Sequence, residues 1–273
     1  MKRKGFKGIL LLLSMLFALT GCSVSEATQH GMAVDTIQAE DVLLRVDFLN
    51  VGQADCALLS TNGHYMVIDG GNNGDADTIL SYLEGQGVEK LDAVVGTHPH
   101  EDHIGSLDAI INHFDVDAVY MPKIMHTNKT FEDVLDAVAN KGLKIKSPDP
   151  GDTIDFNGLE IEVLGPQREY KDFNNNSIVL KVNAGETAFL FTGDAEETAE
   201  KDILQAGYDL QADVLKVGHH GSSTSSSQAF LQAVKPKYAV ISVGVGNSYH
   251  HPEEEALQRL QSIGAEIYRT DLQ

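Results

Sequence analysis

Tryptophan is absent, cysteine occurs only twice, at Cys22 and Cys56, and proline only seven times in 273 residues. Two cysteines cannot build the disulfide framework of a small secreted domain, so stability must come from an apolar core. So few prolines, with no long polar tract, exclude a collagen-like or mainly disordered chain. Basic charge is scarce as well: 20 Lys and Arg stand against 40 Asp and Glu, a formal −20. Four of those basic residues (Lys2, Arg3, Lys4, Lys7) lie in the first seven positions, and residues 1–21 hold no acid. Without that segment the remainder carries 16 basic and 40 acidic residues, or −24. A surface of that sign repels polyanions, so a nucleic-acid role requires a local positive patch, a metal, or both. The N-terminal apolar run, Ile9 to Leu19 broken only by Ser14, is 11 residues long. That is short of the roughly twenty that a spanning helix needs.

A basic start followed by such a run is the pattern of a secretory signal. Leu19-Thr20-Gly21-Cys22 resembles the bacterial lipobox, which implies cleavage before Cys22 and lipidation of its thiol. The expected organisation is a signal peptide over 1–21, a lipidated tether over 22–42 and one folded domain over 43–273. Export follows, with a lipid anchor holding the protein at the outer face of the cytoplasmic membrane. Cys56, inside the apolar stretch Ala54 to Leu59, reads as a small buried hydrophobe.

From Leu43 onward short apolar runs alternate with amphipathic stretches. Strands are expected over Leu43–Leu49, Cys56–Ser60, His64–Ile68, Ala93–Thr97, Ala118–Met121, Glu160–Leu164, Ile178–Val182, Ala188–Thr192, Val214–Val217, Tyr238–Val243 and Glu266–Tyr268. Helices are expected over Asp77–Gly85, Ile104–His113, Phe131–Asn140, Ala195–Ala206, Ser227–Val234 and Glu253–Ile263. In the third of these, Phe131, Val134, Leu135 and Val138 form one face turned to the core. The early strands resemble a meander and the later ones alternate with helices, an α/β pattern of sheets covered by outer helices.

The polar residues gather at strand ends. Directly after Ala93–Thr97 comes His98-Pro99-His100-Glu101-Asp102-His103. Pro99 bars a continuous helix across the first two histidines, so they stand on a loop. Three imidazoles and a carboxylate in six residues suit borderline divalent ions. Neighbouring side chains on such a loop point apart, so the H-x-H-x-D-H spacing can serve two ions.

That motif is similar to the one of the metallo-β-lactamase superfamily of hydrolases. Asp47-Phe48-Leu49-Asn50-Val51-Gly52-Gln53-Ala54-Asp55, Ile68-Asp69-Gly70-Gly71, Phe191-Thr192-Gly193-Asp194, Lys216-Val217-Gly218-His219-His220-Gly221-Ser222 and Ile241-Ser242-Val243-Gly244 follow in order. Together they resemble the hydrolase domain of ComEC-type DNA-uptake channels and its free-standing relatives, over about residues 43–270. The resemblance implies an αββα sandwich, two central mixed β-sheets flanked by helices, holding two divalent ions, Zn or Mn. His98 and His100 would bind one ion, Asp102 and His103 the other, and Asp194 would bridge them. Asp194 alone also fits a helix N-cap for Ala195–Ala206. One of His219 and His220 would ligate the second ion, and the sequence leaves open which. Asp69 falls where the family carries an acid behind the site. Many superfamily members supply a further His before the bridging Asp. Here that interval offers only His113 and His126, and at the expected place stands the run Asp172-Phe173-Asn174-Asn175-Asn176-Ser177.

Asn175, Asn176, Lys216 and Ser222 are candidate supporting or substrate contacts. The Ser222–Ser227 loop with a following helix N-terminus suits a phosphate oxygen, or is simply a serine loop with a good cap. His251, before Pro252 where the family carries a comparable His-Pro, is a candidate for substrate contact or proton transfer, and Asp102 is the other candidate catalytic residue. Adjacent divalent ions bring the pKa of water to roughly 7, and no G-x-S-x-G elbow appears, so metal-assisted hydrolysis is the expected reaction. A phosphodiester is the preferred substrate, either DNA or an envelope phosphoester, and no protein partner is inferable. The alternatives are a phosphocholine-type esterase of the cell envelope and a metal-binding lipoprotein without turnover.

Overall fold

Along the strand His64–Ile68, Met66 and Ile68 turn to one side and Val67 to the other, and all three are buried. A sheet apolar on both faces must be covered twice, and the chain does this with a second sheet and with helices. The computed structural model describes residues 43–272.

The first sheet has six strands in the order Arg45–Phe48, Ala57–Thr61, His64–Ile68, Ala93–Val95, Val119–Tyr120, Ile145–Lys146. Its first three are an antiparallel meander and the rest join in parallel. The second sheet has seven, in the order Glu266–Arg269, Tyr238–Ile241, Val214–Lys216, Thr187–Phe191, Val179–Ala184, Leu159–Gly165, Thr153–Phe156. It too is antiparallel at one end and parallel at the other. Between the sheets lies one apolar cluster that includes Leu59, Met66, Val95, Phe156, Leu180 and Phe191. A second cluster packs the first sheet on the helices Ala76–Gly85, Leu107–His113 and Lys129–Asn140. The third packs the second sheet on Glu197–Ala206, Gln228–Val234 and Glu254–Ser262. Helix, sheet, sheet, helix is the expected sandwich.

All eleven expected strands form, with ends shifted by a few residues. Four segments were not expected: Ile145–Lys146, Thr153–Phe156 and the short parallel pair Lys90–Leu91 with Asp115–Val116. Two residues carry no periodicity, and Thr153–Phe156 buries only Ile154 and Phe156. The expected helix Ile104–His113 is divided into Glu101–Ile104 and Leu107–His113. The cause is packing against another segment. A Cβ on Gly105 would lie 2.2 Å from the Asn72 carbonyl carbon and 2.3 Å from the Asn73 nitrogen. Backbone presses on backbone there, and Gly105 N–H and Ser106 N–H donate to the carbonyls of Gly71 and Gly70. The expected signal peptide and tether, with Cys22, lie outside the described residues.

Candidate metal centre

The strand Ala93–Val95 ends at Thr97, whose N–H and hydroxyl both donate to Asp69, at 2.7 and 2.9 Å. This clamp sets the direction in which His98 leaves the sheet. After Pro99 the short helix Glu101–Ile104 begins, with His100 at its N-cap in an extended conformation. The turn carries Asp102 and His103 inward, and His98 and His103 are fully buried. His103 Nδ1 lies 2.8 Å from Asp69 Oδ2, which leaves its Nε2 facing Asp194 Oδ1 at 3.2 Å. His98 Nε2 is 2.9 Å from His100 Nδ1 and 3.9 Å from Asp194 Oδ2.

Asp194 arrives from the second sheet, just past Thr187–Phe191. Gly193 makes the turn at φ +51°, and a Cβ there would sit 2.9 Å from both Ser177 Oγ and Thr97 Oγ1. Asp194 N–H donates to Ser177 Oγ, and the side chain is buried. It does not cap the following helix, which starts beyond Glu196. Asn175 does that work from a distance, its Oδ1 accepting from the N–H groups of Glu196 and Ala199.

Past the strand Val214–Lys216, His219 and His220 both hold left-handed backbone angles, φ 50° and 54°. The tight turn aims the two rings differently. His220 is buried, its Nδ1 donating to the Ser242 carbonyl at 2.9 Å, so Nε2 faces Asp102 Oδ2 at 3.3 Å and Asp194 Oδ2 at 3.8 Å. His219 sits nearer solvent, with Nε2 3.7 Å from Asp194 Oδ2 and Nδ1 3.5 Å from Glu196 Oε1. Of the pair, His220 has the ligand geometry.

Two sets of side chains offer ligand atoms all within 4.8 Å of one another around this point: His98, His103 and Asp194, and Asp102, His103 and His220. The grouping departs from the expected pairs. His103 belongs to both sets, and His100 to neither, its Nδ1 being turned to His98. A third set, Asp55, Asp69 and His103, lies beneath.

Burial and charge work against each other throughout. Burial alone would raise Asp102, but His220 and His103 outweigh it and hold its carboxyl at about 2. Asp194 is likewise held well below the carboxylate range, chiefly by His103 and His220. Burial lowers an imidazole, yet Asp194 and Asp55 lift His220 to about 10, and Asp194 and Asp69 keep His103 well above its ordinary value. His98 is pushed well below by burial and by the charge of His103. Among the described residues, His103 Nε2, Asp194 Oδ1 and His220 Nε2 are buried without a hydrogen-bond partner. Buried polar atoms are almost always paired. Three that converge, two nitrogens and a carboxylate oxygen, fit a borderline divalent ion.

The supporting residues are mostly engaged elsewhere. Asp69 stands behind His103, fixing its tautomer as an acid does behind a ligating imidazole. Asn176 bonds the backbone of Tyr170 through both ends of its amide. Lys216 is buried against Asp55, Nζ to Oδ2 2.6 Å, and also donates to the Val217 carbonyl. Ser222 Oγ donates to Glu253, and Ser226 and Ser227 N–H groups are taken by Glu200. The serine loop is therefore no free phosphate cradle: carboxylates already occupy its donors. His113 pairs with Glu84 on the surface.

A cleft of about 320 Å³ opens over the histidines, lined by Gln53, His100, Glu101, Asp102, Asp194, His219, His220, Tyr249 and His251. Burial and the charges of His219 and His220 keep the His251 imidazole below its usual range. Sequence reasoning missed Asp55 and Tyr249. The signal for Asp55 was an acid inside the apolar stretch Ala54 to Leu59. For Tyr249 there was none.

Residues 49–245 match the family model described as the metallo-beta-lactamase superfamily. The chain belongs to that superfamily. Among its relatives, ComE operon protein 3 of Bacillus subtilis is 32% identical over 83% of this chain and 32% of that protein. Competence protein ComA of Neisseria gonorrhoeae is 32% identical over 82% of this chain and 30% of that one. This metallo-β-lactamase-like chain thus spans about a third of the length of the competence proteins it matches. A hydroxyacylglutathione hydrolase of Aeromonas salmonicida is 28% identical over 69% of each chain. The fold is shared with YhfI of Bacillus subtilis, at TM-score 0.56 and 12% identity over 83% of this chain and 95% of that one. The expected kinship with the ComEC-like branch is borne out.

Proposed function

We propose that this superfamily member is a metal-dependent hydrolase of phosphodiesters, exported and lipid-anchored through Cys22. Hydrolysis is supported by the three unpartnered buried atoms, His103 Nε2, Asp194 Oδ1 and His220 Nε2, which meet under an open cleft. Divalent ions held there supply Lewis acidity and hydroxide at neutral pH. His98, Asp102, His103, Asp194 and His220 would hold them. Asp69 and the Ser242 carbonyl keep His103 and His220 turned with Nε2 inward. His251, a cleft-lining imidazole whose pKa is lowered by burial and by the charges of His219 and His220, serves to take up and deliver a proton at the cleft wall. The competence proteins among the relatives favour a phosphodiester, and the hydroxyacylglutathione hydrolase favours hydrolysis as the reaction type.

A second reading rests on charge. Glu101, Asp102 and Asp194 line the cleft, with no lysine or arginine among the lining residues. Asp102 and Asp194 would be neutralised by the ions they hold, which leaves Glu101 as the lining acid free to attract a cationic head group such as phosphocholine. Protein stripped of metal and reloaded with Zn²⁺ or Mn²⁺ should hydrolyse bis-p-nitrophenyl phosphate in proportion to occupancy. Full occupancy without turnover would overturn the hydrolase reading. Single-stranded oligonucleotide against a phosphocholine ester then separates the two substrates. Cys22→Ala should abolish lipid attachment; a lipid-labelled Cys22→Ala protein would refute the anchor.

A further inference from the structure

At the rim of the cleft Tyr249 is 66% exposed, and it is the exposed aromatic side chain among the residues that line it. One face of its ring is used: it stacks on His251, with centroids 5.7 Å apart and planes 25° from parallel. The ring borders the cleft and leaves most of its surface open to solvent.

The loop that carries the ring is tied down. Asn247 ties its loop together, its Nδ2 donating to the carbonyls of Gly244 and His251 and its Oδ1 accepting from His251 N–H. Gly244 is in turn fastened to the Asp47–Asp55 segment, its N–H donating to Gln53 Oε1 at 3.1 Å. A Cβ on Gly244 would fall 2.6 Å from the Gln53 nitrogen, so the loop sits hard against that segment. A loop fixed in this way loses little backbone freedom when a ligand lands on it.

We propose that Tyr249 is a stacking platform for a planar heteroaromatic ring carried next to the scissile phosphodiester, that is, for a nucleobase of a single-stranded substrate. The assignment rests on the phosphodiester reading of the same cleft and names the part of the substrate that provides affinity. A flat, single face matches a flat ring. A quaternary ammonium is instead held within a cage of several aromatic faces, and this cleft presents one exposed ring. Stacking also answers the charge difficulty, because every base has a π-face and the contact requires no basic patch. The face is flat and open on one side, so it accepts an unpaired base and not a duplex.

The test compares binding of two phosphorothioate-linked probes by the metal-loaded full chain: an oligothymidylate and an abasic oligomer of equal length and charge. Wild type should bind the base-bearing probe roughly ten- to a hundredfold more tightly. Tyr249→Ala and Tyr249→Leu should bring that ratio close to one, and Tyr249→Phe and Tyr249→Trp should retain it. A merely structural tyrosine would weaken both probes alike. Equal binding of the two probes by wild type, or an unchanged ratio in Tyr249→Ala, overturns the platform, as does a phosphocholine ester whose binding alone depends on Tyr249. Binding is read without turnover. A preserved base preference beside failed hydrolysis therefore refutes only the hydrolase reading, and hydrolysis without base preference refutes only the platform.

Discussion

Glu200 is a buried acid set in the helix Glu197–Ala206, 1% exposed. Its two carboxylate oxygens accept the N–H groups of Ser226 and Ser227, which moors the loop that leads out of His219 and His220. Arg259 closes the same loop from the other side, donating to the carbonyls of Ser223, Ser225 and Ser226. Burial pushes the carboxyl from its ordinary 4.5 up to about 7, against those two N–H donors and the charge of Arg259. At 1.36 kcal/mol per unit this is about 3 kcal/mol of coupling between proton binding and folding. The folded state binds the proton more tightly than the unfolded one. The contribution is therefore fully present below pH 4.5 and is lost as pH rises through about 7. Glu200→Gln removes the titration and keeps the shape, at a constant cost for the N–H it can no longer satisfy. Urea unfolding of both proteins from about pH 5 to about pH 8 should show wild type losing up to about 3 kcal/mol relative to the variant. Parallel stability curves, or a wild type that gains with rising pH, would show that the carboxyl is not held as the burial implies.

Asp194→Asn should cut bound metal and hydrolysis together, measured by elemental analysis and bis-p-nitrophenyl phosphate turnover. It removes the carboxylate that faces His98, His103, His219 and His220, and retention of both metal and turnover would remove it from the site. Chelation should lower the unfolding midpoint of wild type more than that of Asp194→Asn, read by thermal melts with and without chelator. Gly105→Ala forces a Cβ into the Asn72–Asn73 backbone, which has no side chain to swing aside. A loss of about 3 kcal/mol or more in urea unfolding is expected, and a loss under about 1 kcal/mol would mean that the two segments part easily.

Where the chain announces chemistry by spacing, it was readable. The His98–His103 motif, Asp194 at a strand end and the His219-His220 pair all converge, because short strands and tight turns deliver neighbours in sequence to one place. Roles set by partners distant in sequence were not readable. Nothing local tells that Asn175 caps a helix begun past Glu196, that Lys216 turns inward to Asp55, or that Glu200 takes the serine loop's donors. The same holds for the broken helix at Gly105, whose apolar period runs on while the backbone of Asn72 and Asn73 interrupts it. His100 shows the limit within the motif itself: alternate histidines on a loop share a spacing, and only the surrounding rings decide where each points.

The candidate ligands stand on both halves of the sandwich. His98, Asp102 and His103 follow a strand of the first sheet, and Asp194 and His220 follow strands of the second. An ion shared among them is a removable cross-link between segments far apart in sequence, in a protein whose described cysteine is free. Closing such loops restricts the unfolded chain, so the free energy of ion binding becomes free energy of folding. The set cannot gather until the two sheets have docked, which makes competence for chemistry a report on assembly. A metal-starved copy would lose cohesion along with the chemistry the ions supply.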